Sequence, residues 1–301
     1  MSKEINKNDL PKINEIVGKI FPDNSILELN RMSGLTNHTY MVKLFSNEKI
    51  VVRLPGDGTE EMINRKDEKV STELACNLKI DTDLIYFGDD GTKITKFINN
   101  AENMNADKLK ATDKIIMLTD IFKILHNSNV DTKIPFEVFE MAKNYENIIS
   151  SHNVSMYDDY DKIKKIVMNI KEIVQKNGDI KLVSCHNDPI CENWICGDGK
   201  MYLIDYEYAG MNDAMWDLAD VSIEANYNDE HDMIMLKHYF DGSPTKPQLQ
   251  RFFANKIYTD YLWFLWGKAR APFNGQSMED YALNRYIRLK ENIEKFKHYF
   301  F

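Results

Sequence analysis

Two short stretches are the most informative part of the sequence: residues 186–193, which read His-Asn-Asp-Pro-Ile-Cys-Glu-Asn, and residues 203–207, which read Leu-Ile-Asp-Tyr-Glu. In the first, Asp188 is followed five residues later by Asn193. The second places Asp205 at the end of an apolar run. Phosphoryl transfer needs one carboxylate to hold the acceptor hydroxyl and oxygen ligands to fix Mg²⁺ on the phosphates. The spacing therefore predicts the polar core of a kinase-type phosphotransfer site.

The motif departs from that of protein kinases, which is H-R-D-x-x-x-x-N followed by D-F-G. Asn187 stands in place of the arginine, and Tyr206 and Glu207 stand in place of Phe-Gly. This departure favours a small-molecule kinase. His186 opens the motif and is a candidate catalytic residue; the alternative is a buried histidine beside a turn.

Composition narrows the class of protein. The net charge of −9 argues against a nucleic-acid-binding surface, which would be basic. No apolar run approaches the roughly 20 residues needed to cross a bilayer, and the polar N-terminus has no signal-peptide pattern. We therefore expect a cytoplasmic protein with no membrane insertion. Of the four cysteines, three lie near His186, but their spacing is not that of structural zinc and favours small core residues.

The residue pattern divides the chain near residue 98. Apolar and β-branched runs predict strands at 25–32, 40–45, 50–54, 84–87 and 93–98, with one helix at 60–78. Helices dominate afterwards, at 106–126, 136–150, 157–175, 215–226, 229–239, 247–268 and 278–299, with strands at 182–185 and 201–204. We predict an α+β, bilobal, protein-kinase-like fold. Residues 1–97 form a small strand-rich nucleotide-binding lobe, and residues 98–301 form a larger helical lobe for catalysis and acceptor binding.

Candidate ATP-binding residues lie in the first lobe and at its end. The turn Gly34-Leu35-Thr36-Asn37 could offer backbone N–H groups to phosphates. Arg53 occupies the strand position of the kinase lysine, and Glu68 is its expected partner, with Glu73 as the alternative. The segment Lys96-Phe97-Ile98 is the expected hinge that contacts adenine. The alternative for Arg53 is a surface cation.

The sequence resembles the choline/ethanolamine kinase family, within the aminoglycoside-phosphotransferase-like group, and is most similar to the bacterial choline kinases. The match runs from about residue 25 to 290 and is most specific over 186–224. Its stretches include 33–37, 52–56, 63–66, 96–98, 186–193, 203–213, 217–219 and 263–267.

The resemblance implies transfer of the γ-phosphoryl group of ATP to the hydroxyl of choline, with Mg²⁺ as cofactor. It implies that Asp188 is the base and that Asn193 and Asp205 bind the metal. The expected partners are the small molecules choline and ATP, without nucleic acid and without a required oligomer.

Aromatic residues near the C-terminus suit a quaternary ammonium, which has no N–H to donate and is held by ring faces and carboxylates. Trp263 and Trp266 lie three residues apart and share one helix face. The expected choline site also includes Asp188, Glu207, Tyr208, Glu224 and Tyr281. The alternative is an ordinary aromatic core between two helices.

Other functions stay open at this point. An ethanolamine kinase would favour more carboxylates and fewer rings, and an aminoglycoside-type kinase a wide acidic surface. A non-catalytic choline-binding protein of kinase-like fold is a third possibility. The presence of Asp188, Asn193 and Asp205 counts against that third reading, because a binding protein has no need of all three.

Overall fold

The computed structural model describes residues 5–32, 37–56, 63–176 and 180–301. The chain forms two compact units. The first comprises residues 1–104 and 192–209, and the second comprises residues 105–191 and 210–301. The segment 192–209, which carries Asn193 and Asp205, therefore belongs to the first unit. The nucleotide and acceptor roles assigned to the two lobes stay predictions.

A five-stranded antiparallel sheet is the centre of the first unit, in the order β1-β2-β3-β5-β4. Its strands are β1 (Ile26–Arg31), β2 (His38–Leu44), β3 (Lys49–Leu54), β4 (Leu84–Phe87) and β5 (Lys93–Lys96). Two helices accompany it, α1 (Asp9–Ile20) and α2 (Arg65–Asn77).

The core of this sheet follows from alternation in β2 and β3. Tyr40, Val42 and Leu44 of β2 are fully buried, as are Ile50 and Val52 of β3. Residues two apart point to one face of a strand, so both strands present an apolar face to the same side. Helix α1 covers that core through its apolar positions.

A second, three-stranded sheet of the first unit has the order β6-β8-β9. Its strands are β6 (Glu102–Asn103), β8 (Trp194–Gly197) and β9 (Lys200–Leu203). The β8–β9 hairpin turns at Asp198 and Gly199, which both have positive φ. A side chain at Gly197 would place its Cβ 2.3 Å from Cγ2 of Ile98, so glycine is required there for close packing.

The second unit is mainly helical. Its helices are α3 (Ala106–Leu109), α4 (Thr112–His126), α5 (Val138–Ser151), α6 (Tyr160–Gln175), α7 (Ala214–Glu224), α8 (Asp229–Tyr239), α9 (Lys246–Asn274) and α10 (Gln276–Phe300). A two-stranded antiparallel pair, β7 (Leu182–Cys185) and β10 (Gly210–Asp213), packs with them. No helix within the described ranges is both long enough and apolar enough to cross a membrane.

Local sequence signals set the ends of the long helix α9. The Thr245 hydroxyl accepts from the Gln248 backbone N–H at 3.4 Å, and the Gln248 side chain accepts from the Thr245 backbone N–H at 2.7 Å. This reciprocal capping box fixes the start of the helix. Gly275, with φ +75°, separates α9 from α10, because few other residues adopt that conformation without strain.

The strand-rich beginning and helical remainder agree with the predicted class, but details differ. The sequence analysis included no helix corresponding to α1. The helix expected at 106–126 is two helices, because the chain turns at Lys110 and Ala111. Helix α9 extends to Asn274, beyond the expected end at 268.

Candidate active site

The β8–β9 hairpin brings Asn193 and Asp205 to one end of the same sheet. Trp194, directly after Asn193, pairs with Leu203. The backbone N–H of Ile204 donates to the carbonyl of Asn193 at 3.0 Å. Because the strands are antiparallel, the residue before β8 and the residues after β9 are neighbours. The two predicted metal ligands are therefore close in the backbone, although they are twelve positions apart in the sequence.

Asp205 has a left-handed backbone, with φ +70°. An aspartate tolerates this region better than most residues, but it still costs free energy relative to a strand conformation. Its side chain is 28 % exposed, whereas Asn193 is buried. Strain of this kind persists where the surrounding structure holds it, and it is common at functional sites.

Arg53 joins Asp205 to helix α2. Its Nη1 donates to Oδ1 of Asp205 at 2.8 Å, and its Nη2 pairs with Oε1 of Glu68. Nη2 also lies 3.3 Å from the carbonyl of Gly91. Burial acts to lower the pKa of Arg53, but Asp205, Glu68 and Glu207 together raise it above its ordinary value. The guanidinium therefore stays charged, and Glu68, not Glu73, is its partner.

Arg65 is a member of this cluster that the sequence analysis did not assign a role. It is the first residue of α2, and its Nη1 binds Oε2 of Glu68 at 2.7 Å. The same nitrogen lies 3.8 Å from the carboxylate of Glu207. The i, i+3 spacing of Arg65 and Glu68 on a helix that begins nearby is the signal that could have identified it. Glu68 thus receives two guanidinium groups.

Glu207 is a largely buried carboxylate whose pKa is raised by its surroundings. Its Oε2 accepts from Nδ2 of Asn37 at 3.2 Å. Burial, followed by the negative charge of Asp205, raises its pKa to about 7. Of the predicted phosphate-binding turn, Asn37 is described, while Gly34, Leu35 and Thr36 lie outside the described residues.

Asp81 is a second buried carboxyl that the sequence analysis missed. Its Oδ1 accepts from the backbone N–H of Thr82 at 2.6 Å, and its Oδ2 has no hydrogen-bond partner among the described residues. Burial raises its pKa to about 6, although Lys93 opposes the shift. No sequence pattern marks this position, because the shift depends chiefly on burial, with a smaller contribution from the negative charge of Asp205.

The expected hinge segment lies at the end of β5. The Lys96 ammonium binds Oδ2 of Asp83 at 3.0 Å, and Lys96 is largely exposed. The Phe97 ring lies under the Lys49 ammonium at 5.4 Å, and its backbone N–H donates to the carbonyl of Lys49 at 3.3 Å. Adenine binding by Lys96, Phe97 and Ile98 stays a prediction.

In the second unit, Asp217 of α7 fixes the loop that carries Asp188. Its Oδ2 accepts from the backbone N–H of His186 at 2.8 Å, and its Oδ1 accepts from that of Asn187 at 2.7 Å. Nε2 of His126 lies 3.0 Å from the same carboxylate. Bonds from two consecutive backbone N–H groups hold the loop in one conformation.

Asn187 gives the loop its sharp turn, with φ +67°. Its side-chain oxygen accepts from Nδ2 of Asn212 at 2.9 Å, and its carbonyl accepts from the indole N–H of Trp216 at 3.0 Å. His186 is fully buried, and its Nδ1 accepts from the backbone N–H of Asp188 at 3.3 Å. Asp188 is only half-buried, so its carboxylate is more accessible than the residues that hold it.

The His126, Cys185 and Asp217 ligand atoms lie within 4.8 Å of one another, all buried. Hydrogen bonds account for this cluster, since both oxygens of Asp217 already accept from the loop and His126 also lies 2.9 Å from the Tyr239 hydroxyl. Cys185 and Cys191 are buried free thiols, as expected of small core residues, and Cys196 is half-buried.

Three aromatic residues of α9 and α10 form a continuous group. The Trp263 and Trp266 ring centroids are 6.2 Å apart at 89°, and those of Trp266 and Tyr281 are 5.7 Å apart at 76°. Trp263 is buried, whereas Trp266 and Tyr281 are half-buried. Tyr281 packs against Gly267, where an added Cβ would lie 2.8 Å from its ring. The indole N–H of Trp266 has no hydrogen-bond partner within the described ranges.

Arg285 links Glu224 to this aromatic group. Its guanidinium lies 5.0 Å from the Tyr281 ring centroid. Nη2 of Arg285 forms an ion pair with Glu224 at 2.5 Å. Burial raises the pKa of Tyr281, and Glu224, Asp188 and Asp220 raise it further against the opposing charge of Arg285. The Tyr281 hydroxyl therefore shares its surroundings with Asp188 and Glu224. Glu207 and Tyr208, the other two predicted acceptor residues, belong to the first unit.

Comparison with known proteins identifies the family. The model of the family described as choline/ethanolamine kinase matches residues 30–264. The chain belongs to the choline/ethanolamine kinase family. This confirms the resemblance seen in the sequence.

Individual proteins and solved structures are similar to this chain over most of its length. Protein LicA of Haemophilus influenzae is 27% identical over 261 residues, which are 83% of this chain and 96% of that protein. Among solved structures, the choline kinase LicA from Streptococcus pneumoniae is 28% identical, with a TM-score of 0.81 over 96% of this chain and 100% of that one. A choline/ethanolamine kinase family protein from Mesorhizobium loti is 27% identical, with a TM-score of 0.85 over 96% of both chains. The predicted kinase-like fold class is confirmed.

Proposed function

We propose that this member of the choline/ethanolamine kinase family is a choline kinase that converts ATP and choline to ADP and phosphocholine. The observation that carries the proposal is the set of oxygen ligands at the end of the β8–β9 hairpin, in a chain that also carries a rigidly held Asp188 and an aromatic group beside carboxylates. A protein that only bound choline would need neither the oxygen ligands for a metal nor the fixed Asp188 carboxylate.

Asp188 is proposed to accept a hydrogen bond from the choline hydroxyl and to orient the oxygen for attack. The new bond forms between that oxygen and the γ-phosphorus, the bond from the γ-phosphorus to the bridging oxygen of ADP breaks, and the hydroxyl proton passes to Asp188. The role proposed for His186 is positioning, because it is buried and holds the Asp188 backbone.

Asn193 and Asp205 are the residues that would hold Mg²⁺. Carboxylate and amide oxygens are ligands that this ion prefers, and the partly exposed Asp205 carboxylate fits that role. Mg²⁺ held there would supply positive charge that offsets the negative charge of the phosphates. Arg53, held by Glu68, is proposed to orient Asp205 and to offer positive charge to the nucleotide.

Trp263, Trp266, Tyr281 and Glu224 are proposed to hold the trimethylammonium head. The acceptor-binding roles of Glu207 and Tyr208 stay predictions. Ring faces attract a cation that cannot donate hydrogen bonds, each by about 0.5–2 kcal/mol. A cytoplasmic location and activity without a required oligomer stay predictions.

A coupled ADP-release assay tests the proposal. Choline, ethanolamine and an aminoglycoside are offered in parallel at matched concentrations, with ATP and Mg²⁺. The proposal expects the highest kcat/KM with choline. Preferred use of ethanolamine or of the aminoglycoside would replace the substrate assignment, and binding of choline without any turnover would indicate a non-catalytic protein.

A further inference from the structure

Helix α7 carries three acidic residues on one face: Asp217, Asp220 and Glu224, at spacings of i, i+3 and i+7. Asp217 is bound by two backbone N–H groups, and Glu224 is paired with Arg285. Asp220 lies between them and is fully buried. Neither of its carboxylate oxygens has a hydrogen-bond partner among the residues that the structure describes.

An ionised carboxylate in that position is costly, because burial removes water and nothing replaces its hydrogen bonds. Burial, followed by the charge of Glu224, raises the pKa of Asp220 well above its ordinary value, and Arg285 opposes this only in part. These surroundings therefore favour a protonated Asp220.

Two arginines of α10 are paired with two of the carboxylates near Asp220. Arg285 pairs with Glu224, and Arg288 binds Asp260 through two nitrogens, with Nη2 at 2.7 Å and Nε at 3.0 Å from Oδ1. Two carboxylates thus face two guanidinium groups. Ionising Asp220 adds one negative charge that none of these four side chains neutralises, and one added cation would restore the balance.

The aromatic group of α9 and α10 lies beside these ion pairs. Tyr281, whose ring is 5.7 Å from that of Trp266, interacts electrostatically with both Asp220 and Asp188. A cationic head held by these rings would bring the missing positive charge into the same region. This step depends on the proposed function, because it takes the ligand to be a cationic alcohol.

We propose that Asp220 is the proton-linked counter-charge of the acceptor's cationic head. Its carboxyl holds a proton in the free enzyme. When a cationic alcohol binds, the O–H bond of the carboxyl ionises and the proton passes to solvent. Asp220 is a positioning residue here, since it is fully buried and acts on the ligand through the field of the network.

Charged and titratable side chains face Asp220 from its own helix and from three neighbouring helices. They are Asp217 and Glu224 of its own helix, Arg285, Arg288 and Tyr281 of α10, Asp260 of α9, and His126 of α4, which acts through Asp217. Two further carboxylates on adjoining elements already form ion pairs: Asp232 with Lys256, and Asp213 with Arg251. Of the carboxylates in this set, Asp220 is the one with neither an ion pair nor a hydrogen bond among the described residues.

Calorimetric titration of choline chloride into the full-length enzyme, with ADP and Mg²⁺ present, measures the linked proton directly. Parallel titrations in phosphate and Tris at one pH give the number of protons released, because the two buffers differ in ionisation enthalpy. We expect a fraction of a proton to be released per choline, with a maximum between the pKa of Asp220 in the choline complex and its pKa in the free enzyme, and no release well outside that range. The affinity for choline should therefore rise with pH across that range.

Asp220→Asn should abolish the release and flatten the pH dependence of the choline Kd. At high pH the variant should bind choline about tenfold more weakly than the wild type, and at low pH the two should converge. Asp188→Asn and Glu207→Gln should keep the release, because their carboxyl groups are not its source. Asp232→Asn, a change at another buried carboxylate, should lower stability and leave the release unchanged.

Release that disappears in Glu207→Gln or Asp188→Asn and persists in Asp220→Asn would overturn the proposal. If Asp220→Asn does not fold, the pH dependence of choline binding to the wild-type enzyme still tests the proposal. A choline Kd that does not change with pH would contradict any linked proton. Choline binding without proton release at any pH, by an enzyme that still phosphorylates choline, would refute this inference and leave the proposed function standing. The absence of both choline binding and turnover would remove both.

Discussion

Nη1 of Arg53 donates to Oδ1 of Asp205 at 2.8 Å, although the two residues are 152 positions apart in the chain. The contact links a strand of the N-terminal sheet to the end of the β8–β9 hairpin, both in the first unit. Glu68 holds the other end of the same guanidinium. Asp205 is thereby positioned by a side chain whose own orientation depends on a buried ion pair.

Glu68→Gln should lower kcat/KM by roughly ten- to a hundredfold, because it weakens charge-assisted hydrogen bonds to both Arg53 and Arg65. The measurement is steady-state kinetics with ATP varied. Glu73→Gln is the matched control, since Glu73 lies on the same helix and is exposed. Equal loss in the two variants, or none in Glu68→Gln, would argue against a role for the pair.

Removal of either proposed metal ligand should change the response to Mg²⁺. Asp205→Ala should nearly abolish activity and be rescued poorly by added Mg²⁺, because it removes a charged ligand. Asn193→Ala should be milder, since water can replace a neutral ligand. Titration of activity against Mg²⁺ tests both, and a normal Mg²⁺ dependence in either variant would show that its side chain does not bind the metal.

Asp81 should make the protein less stable as pH rises. Its folded pKa of about 6 lies above the ordinary value of 3.8, so the stabilising protonated form is lost as pH rises through about 6. Asp81→Asn should raise the free energy of unfolding at pH 8 by at most about 3 kcal/mol and have little effect near pH 4. The amide oxygen that this substitution introduces can still accept from the backbone N–H of Thr82.

Urea unfolding at the two pH values measures this difference, with Asp83→Asn as the control. Asp83 is exposed, and its pKa is lowered by hydrogen bonds from Lys96 and Lys79, so its replacement should give no gain at high pH. A pH-independent effect of Asp81→Asn would mean that this carboxyl does not titrate as described.

The aromatic group should favour choline over ethanolamine by at least about tenfold in kcat/KM, or roughly 1.4 kcal/mol. Ethanolamine keeps three strong donors and loses free energy on desolvation unless each finds an acceptor. Trp266→Ala should raise the KM for choline more than it lowers kcat, because the head group is held in both ground and transition states.

Phe273→Ala is the control for Trp266→Ala, because Phe273 is an exposed aromatic residue near the end of the same helix. Equal use of the two alcohols, or an unchanged choline KM in Trp266→Ala, would return the tryptophans to a purely structural role.

The phosphotransfer motif was readable from sequence because its members are close in the chain and joined by one hairpin. The Arg53–Glu68 contact was also predictable, since a strand cation followed by a helix carboxylate is a local pattern. Asp217, His126 and Arg285 were not, because their partners lie up to 91 residues away and depend on helix packing. The missed helix α1 has apolar residues at helical spacing, Ile13, Ile16, Val17 and Ile20, within an otherwise strand-rich region.

Product formation in Asp188→Asn most directly tests the proposal that Asp188 is the base in phosphoryl transfer from ATP to choline. Phosphorus NMR of wild type and variant, each given ATP, Mg²⁺ and choline, follows phosphocholine and ADP together, while ATP affinity is measured in parallel. We expect phosphocholine from the wild type and almost none from the variant, with ATP binding within about threefold, because the base acts on the chemical step. Phosphocholine at the wild-type rate from Asp188→Asn, or none from the wild type, would contradict the assignment.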